Sequence, residues 1–159
     1  MHIIEQFDFR NAEIILKNKY PEIFSELKEI LDNPTNELKL KIEGKKQRNI
    51  SKQIQKFFEE KNWKTEQPTF VVPDLIYDAV KENVPVEIEI SYQRQVYADF
   101  FKFLMDYSNG KIEVAVLVVT NDPKKFGHNW HASLKSTKKK LLDIKNNFLV
   151  PILVIGINP

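Results

Sequence analysis

The sequence contains no cysteine among its 159 residues, so neither a disulfide bond nor a thiolate metal site can form. No apolar run approaches the roughly 20 residues that a membrane-spanning helix needs. The first ten residues, MHIIEQFDFR, lack the layout of a secretory signal peptide. Internal repeats and low-complexity linkers are also missing. These absences lead us to expect a cytoplasmic protein that does not contact a membrane.

The chain also lacks a large excess of charge of one sign. Its 24 lysine and arginine residues exceed its 22 acidic residues by only two, so net charge alone does not indicate a nucleic-acid partner. The basic residues are instead clustered, in GKKQR at 44–48 and in KSTKKK at 135–140. A solvated surface or a nucleic-acid-binding patch explains either cluster. A hydrophobic share of 42% over this length predicts one globular domain, residues 1–159.

The periodicity of apolar residues changes along the chain. Helical spacing in 7–33 and in about 50–62 predicts a helical N-terminal part, residues 1–63, although ELKLKIEG at 37–44 alternates like a strand. Residues 69–80 and 84–91 predict a hairpin around KEN, in which Pro73 and Pro85 suggest strands that start or run at a sheet edge. A helix over about 95–109, a buried strand over 111–120, a helix over 133–147 and a last buried strand over 148–158 follow. This order predicts an α/β fold, a mixed sheet with helices on both sides.

The stretch NVPVEIEIS at 83–91 carries the first sign of chemistry. Side chains two apart on a strand share a face, so Glu87 and Glu89 project side by side, and a tight hairpin brings Asp78 alongside them. Such a patch is either a solvated surface or a site for a divalent cation. Oxygen ligands favour Mg²⁺, Mn²⁺ or Ca²⁺ over zinc. The spacing alone leaves both interpretations open.

A longer pattern resembles a known family. Asp78, the run Glu87-Ile88-Glu89, a helix containing Ala98-Asp99 and the strand IEVAVLVVT together resemble the PD-(D/E)XK nuclease superfamily. Within it they resemble the type II restriction endonucleases of the BamHI and BglII group. The VIGI run at 154–157 and the NW pair at 62–63 followed by KTEQP are also similar to that group. The resemblance implies a restriction-endonuclease-like fold with an αβββαβ-type core, in which residues 1–63 form an N-terminal helical part and residues 64–159 the catalytic core.

The resemblance also implies Mg²⁺-dependent hydrolysis of DNA phosphodiesters, with Mn²⁺ as a possible substitute. Asp78 and Glu87 would be the principal metal ligands, with Glu66 as a further ligand, and Glu89 would hold or deprotonate the attacking water. Asp74 is the second choice for the hairpin aspartate, and Glu59 is an alternative to Glu66. Position 89 carries the superfamily's lysine in most branches. Its replacement by glutamate occurs in the BamHI branch and does not imply loss of activity.

Two segments are candidates for contact with DNA. Relatives use the loop and helix start after the Glu-x-Glu strand, which here contains Ser91, Tyr92, Gln93, Arg94 and Gln95, and arginine and glutamine can read base edges. A second set could reach backbone phosphates: Lys124, Lys125, His128, Asn129, Lys135 and Lys138–Lys140. A solvated surface is the alternative for both. Residues 44–49 are a weaker candidate. His128 and His131 are spaced as H-x-x-H but lack further zinc ligands nearby.

Three functions are consistent with these residues. The first is a type II restriction endonuclease that acts as a homodimer on double-stranded DNA, because cutting both strands of a symmetric site requires two facing active sites. Phe100, Phe101, Leu104 and Tyr107 exceed what one buried stripe needs, although core packing alone would also explain them. The second is a nuclease of the same fold with low sequence specificity. The third is a non-catalytic DNA-binding module, against which the retention of all four acids argues. Trp63 and Trp130 are predicted to serve packing.

Overall fold

The structure, a computed structural model, describes residues 1–40 and 48–159, with side chains from residue 50 onward in the second range. Its strands are β1 (His2–Phe9), β2 (Lys64–Pro68), β3 (Ile76–Lys81), β4 (Val84–Glu89), β5 (Ala115–Thr120) and β6 (Ile152–Asn158). Its α-helices are α1 (Ala12–Lys19), α2 (Pro21–Leu31), α3 (Arg48–Glu60), α4 (Val96–Ser108) and α5 (Leu134–Ile144), with a short 3₁₀ helix at Pro123–Phe126. In the described ranges, no helix combines the length and apolar character that a membrane crossing requires.

The strands form one mixed sheet in the order β1-β6-β5-β4-β3-β2. The central strands β4, β5 and β6 are parallel, and β1, β3 and β2 pair antiparallel with their neighbours. Every residue of β4, β5 and β6 is buried, as expected for parallel strands covered on both faces. The mixed α/β fold predicted from the sequence is therefore confirmed.

Two hydrophobic layers cover the sheet. On one face, α1, α2 and α3 pack through residues such as Leu16, Leu27 and Phe58 against Val116 and Val118 of β5. On the other face, α4 and α5 pack through Phe100, Phe103 and Leu141 against Leu117 and Val119. Because successive side chains of β5 point to opposite faces, the strand contributes residues to two separate cores.

The β3–β4 hairpin sets the register of the acidic residues. Its two turn residues, Glu82 and Asn83, both have positive φ, 48° and 64°, which matches the type I′ turn that two-residue hairpins prefer. Ala79 then pairs with Val86. The neighbouring Asp78 is consequently brought to the level of Glu87 and Ile88.

The structure differs from the sequence-based expectation at several elements. Residues 7–9 belong to β1 rather than to a helix, and β2 was not predicted. Both are edge strands with partly exposed residues, so neither shows a long apolar run. The strand predicted at 37–44 is absent at 37–40, and its remainder lies outside the described residues.

Of the two alternatives suggested by Pro85, a strand start and a sheet edge, the structure shows the first, because Pro85 is the second residue of β4. Strand β4 lies in the interior of the sheet, between β3 and β5. Its ladder with β5 begins at Val86, one residue after the proline, so the missing N–H of Pro85 falls outside that ladder. Pro73 lies in the loop before β3.

Candidate active site

The carboxylates of β3 and β4 open into one pocket beside the start of α4. The pocket has a volume of about 400 Å³. Its charged lining residues are Asp78, Glu87, Glu89, Asp99 and Lys102, and its polar ones include Ser51, Ser91, Tyr92 and Gln95. Glu87 and Glu89 are only 3% and 8% exposed. The interpretation of this strand face as a solvated surface is therefore wrong, because α4 covers the strand.

Asp78 is held by two donors from different elements. Gln55 on α3 donates its Nε2 to Asp78 Oδ1 at 2.6 Å, and the backbone N–H of Ile88 on β4 donates to Oδ2 at 2.7 Å. Burial raises the pKa of Asp78, and these hydrogen bonds oppose the rise. These two donors, one from α3 and one from β4, fix the orientation of the carboxylate.

Glu87 lies between like charges and one cation. Lys102 on α4 donates its Nζ to Glu87 Oε1 at 2.7 Å and to Asp99 Oδ1 at 3.2 Å. Burial raises the pKa of Glu87 well above its ordinary value, the charges of Asp99 and Asp78 raise it further, and Lys102 opposes them. Burial likewise raises the pKa of Asp99 to about 7. Protons and cations thus compete for the same buried oxygens.

Glu89 is oriented by the residue that follows the strand. Ser91 donates its backbone N–H to Glu89 Oε1 at 2.7 Å, and its hydroxyl donates to the same oxygen. Burial raises the pKa of Glu89, and the Ser91 hydrogen bonds lower it. A carboxylate with a raised pKa and a fixed orientation is suited to hold a water molecule or accept its proton.

A buried network ties α4 to β3. Asp106 on α4, which has no exposed surface, accepts the Tyr77 hydroxyl at 2.8 Å and the backbone N–H groups of Phe70 and Val71 at 3.0 and 2.9 Å. Tyr77 directly precedes Asp78, and its ring stacks on Phe103 at 5.9 Å between centroids. The network therefore fixes Asp99 and Lys102 relative to the hairpin.

The donor set fits a hard divalent cation. The pocket offers carboxylate oxygens and no sulfur, the ligand type that Mg²⁺ and Mn²⁺ prefer. Asp99 is 2% exposed, and its Oδ2 finds no hydrogen-bond donor among the described residues. Among the described side chains, no group of three or more histidine, aspartate or glutamate residues is arranged to hold a metal ion. The ammonium of Lys102 instead lies between two of the carboxylates.

The structure does not bring Glu66 into this pocket. Its side chain is 62% exposed and lies 3.8 Å from Lys52. Glu59 accepts the hydroxyl of Thr65, and Asp74 is exposed in the loop before β3. None of these three lines the pocket. Edge strand β2 carries Glu66, one strand beyond the hairpin.

The predicted DNA-contacting loops lie at the pocket's edge of the sheet. A bridge pairs Tyr92 with His131, so the loop after β4 runs beside the loop after β5. Ser91 and Gln95 line the pocket itself, whereas Gln93 is half-buried and Arg94 exposed. Of the other predicted contacts, His128 and Lys140 are half-buried, and the rest are exposed: Lys124, Lys125, Asn129, Lys135, Lys138 and Lys139. Lys138 lies farther away, with its Nζ 5.1 Å from the ring centroid of Phe7 on β1.

The two tryptophans and His131 differ in their burial and surroundings. Trp63 is buried and packs edge-on against Phe58 at 5.0 Å, which confirms its packing role. Trp130 is 48% exposed and stacks on His128 at 4.1 Å between ring centroids, so it packs at the surface rather than in the core. Burial lowers the pKa of His131 to about 4, which keeps this side chain neutral at pH 7.

Three residues around the acids were not assigned a role from the sequence. Asp99 and Lys102 on α4 line the pocket, and Gln55 on α3 contacts Asp78 from outside it. Lys102 lies 15 positions from Glu87, and Gln55 lies 23 positions from Asp78. A signal for two of them exists in the sequence, because Asp99 and Lys102 are charged residues three apart on an otherwise apolar helix, YADFFKFL. That spacing places both on one helix face.

Comparison with known proteins gives consistent matches. A family model described as restriction endonuclease BglII/BglIII matches residues 4–157. Among solved structures, a crystal structure of restriction endonuclease BglII complexed with a DNA 16-mer matches with a TM-score of 0.79 and 18% sequence identity, over 100% of this chain and 77% of that chain. At this identity the structural match shows a shared fold. A search of curated proteins gives no significant match.

Proposed function

Because the chain belongs to the BglII/BglIII restriction endonuclease family and is thus a type II deoxyribonuclease, we propose that it cleaves double-stranded DNA with Mg²⁺ in the pocket described above. The single observation that carries this proposal is the convergence of Asp78, Glu87 and Glu89 on that pocket. Buried carboxylates that repel one another are costly for a fold. A cation bound between these carboxylates, next to a DNA phosphate, would explain why the fold contains them.

Asp78 and Glu87 would hold the ion, and Mn²⁺ would substitute for Mg²⁺. When bound, a divalent cation polarises a phosphoryl oxygen and lowers the pKa of a bound water. The protein's own part is to orient these groups. Gln55 and the Ile88 N–H keep Asp78 in place, and Ser91 keeps Glu89 in position to take a proton from the attacking water. Glu66, which lies outside the pocket, has no role in the proposal.

DNA would approach across the loops that follow β4 and β5. Arg94 and Gln95 are exposed beside the pocket and can form bidentate contacts with base edges. Lys124, Lys125 and Lys135 are exposed near the same edge and can contact backbone phosphates. Ser91 links the proposed cleavage site to the proposed DNA contact, because it orients Glu89 and lies at the start of the loop after β4.

We further propose that two copies of the chain act together. Phe100 and Phe103 fill the core under α4, but Tyr97 and Phe101 are 49% and 50% exposed on the same helix. Exposed aromatic side chains on a helix suit a surface that a second copy covers. Light scattering of the wild-type protein should give a dimer mass, and Phe101→Lys should shift it toward the monomer.

A plasmid digest tests the proposed reaction. Supercoiled DNA is incubated with Mg²⁺, with Mn²⁺ or with EDTA, and wild type is compared with Glu87→Gln and with Glu113→Gln. Glu113 is an exposed residue paired with Lys19 and serves as the matched control. We expect discrete fragments from wild type and the control. Loss of a metal ligand that supplies several kcal/mol should slow Glu87→Gln by about a thousandfold or more.

The same digest separates the alternatives. A smear without discrete bands would indicate a nuclease of low sequence specificity. No cleavage with either metal, combined with unchanged DNA affinity in Glu87→Gln, would indicate a non-catalytic DNA-binding module and would refute the proposed reaction.

A further inference from the structure

The ammonium of Lys102 occupies the position of a bridging cation. Its Nζ lies 2.7 Å from Glu87 Oε1 and 3.2 Å from Asp99 Oδ1, one oxygen from each of two carboxylates. The three side chains are 13%, 5% and 3% exposed. A buried lysine that bridges two acids has the same connectivity as a divalent ion shared by them.

The second carboxylate oxygen of Asp99 indicates that the pocket binds a ligand. Asp99 Oδ2 is buried and has no hydrogen-bond partner within the described part of the chain, whereas Asp78 and Glu89 have backbone donors. A buried acceptor without a donor is unfavourable and rare in folded proteins. A cation in the pocket would satisfy this oxygen together with those of Glu87.

The charge balance explains why a lysine is present at all. Four carboxylates line the pocket, and Lys102 is the only cationic side chain among the described residues that do so. Without it, the metal-free pocket would hold uncompensated buried acids. Lysine is suited to a temporary role, because it is a point charge on a flexible four-carbon stem that can withdraw toward solvent.

We propose that Asp99 is a further ligand of the metal site and that Lys102 fills this site in the metal-free protein, so that a divalent cation binds by displacing the ammonium from Glu87 and Asp99. This inference rests on the proposed function, since it assumes that the pocket takes a cation. It assigns Lys102 as a positioning residue that holds the acids in place until the metal arrives. Binding of the cation and release of the lysine are then one exchange of positive charge.

Metal affinity without DNA tests the exchange directly. Mn²⁺ binding is measured at pH 8 from the electron paramagnetic resonance signal of the free ion, and thermal unfolding is followed in EDTA and in Mn²⁺. Lys102→Met removes the competing charge. We expect its Mn²⁺ affinity to be at least about tenfold higher than that of wild type, equivalent to about 1.4 kcal/mol. Its Tm should fall in EDTA and recover more on Mn²⁺ addition than the Tm of wild type does.

Two further variants make the result specific. Asp99→Asn should lower Mn²⁺ affinity at least about tenfold, because it removes a ligand. Lys19→Met removes a surface lysine from a single ion pair with Glu113 and should leave Mn²⁺ affinity unchanged. If Lys102→Met does not fold without metal, Lys102→Gln keeps a hydrogen-bond donor to Glu87 without the charge, and the same gain in affinity is expected.

The inference is overturned if the Lys102 variants bind Mn²⁺ no more tightly than wild type, if none of the proteins binds it, or if Asp99→Asn binds it as well as wild type. If none of the proteins binds Mn²⁺, the proposed function fails together with the inference. The other two failures are distinct, because the proposed function fails when wild type does not cleave DNA and Glu87→Gln leaves Mn²⁺ binding unchanged. A wild type that cleaves and binds Mn²⁺, combined with unaltered affinity in Lys102→Met, refutes only the exchange.

Discussion

Replacement of Asp99 by asparagine should stabilise the metal-free protein, and it should do so only above a defined pH. The pKa of Asp99 is raised by burial from its ordinary value of 3.8 to about 7. Between about pH 4 and pH 7 the folded protein therefore binds more protons at this site than the unfolded chain does. The stability of wild type falls as pH rises through that window. Asparagine does not titrate, so the variant escapes this loss.

The size of the effect follows from the same shift. One pKa unit corresponds to about 1.4 kcal/mol, so a rise from 3.8 to about 7 sets an upper limit of about 4 kcal/mol at pH 8. Two effects reduce this limit. The titrations of Asp99 and Glu87 are coupled. Asparagine also loses the charge attraction to Lys102, although its side-chain oxygen can still accept a hydrogen bond from the Lys102 ammonium. We therefore expect a gain of about 1–3 kcal/mol at pH 8, which shrinks to nothing near pH 4.

Urea unfolding in EDTA at pH values from 4 to 8 measures this difference. The matched control is Asp143→Asn, because Asp143 also pairs with a lysine, Lys139, but both side chains are more than half exposed. The control should show no gain in stability at any pH. A difference between Asp99→Asn and wild type that does not vary with pH, or a destabilised variant at pH 8, would refute the reasoning from burial.

Three other perturbations have definite expected outcomes. Asp106→Ala removes the acceptor of the Tyr77 hydroxyl and of two backbone N–H groups, so it should lower the free energy of unfolding by at least about 3 kcal/mol. A decrease in Tm of less than about 5 °C would contradict this expectation. Gly156→Ala should lower the free energy of unfolding by about 1–3 kcal/mol, because the new Cβ would lie 3.1 Å from the Leu134 Cβ and 3.3 Å from the Glu5 carbonyl oxygen. Urea unfolding unchanged from wild type would show that these neighbours move aside without cost. Arg94→Ala should leave the Tm unchanged but weaken DNA binding by about 1–3 kcal/mol, because the proposed contact of this side chain is with a base edge. Fluorescence anisotropy in Ca²⁺ measures the affinity, and an unchanged affinity would show that Arg94 does not contact the DNA.

The hairpin and its acids were predictable because their information is local. Asp78, Glu87 and Glu89 lie within twelve residues of one another, and the alternation in NVPVEIEIS indicates the strand directly. What the alternation could not reveal is burial. Period-two patterning predicts one wet face, but the closure of α4 over β4 removes Glu87 and Glu89 from solvent.

The remaining residues that contact the acids depend on tertiary contacts between distant elements. Lys102 reaches Glu87 across 15 positions, and Gln55 reaches Asp78 across 23. A pattern within one element cannot encode such pairs. The edge strands β1 and β2 were missed for a related reason, since their hydrogen-bond partners β6 and β3, rather than an apolar run, define them. Glu66 was suggested by a family position alone, and in this structure it is an exposed residue of edge strand β2 outside the pocket.

The pairing of β1 with β6 delays completion of the sheet during synthesis. His2 lies opposite Asn158, so β1 gains this sheet neighbour only after residues 152–158 have been translated. The acids of the β3–β4 hairpin are made before β5 and β6, the strands that continue the sheet beside them. In the nascent chain these carboxylates therefore exist before the sheet that positions them.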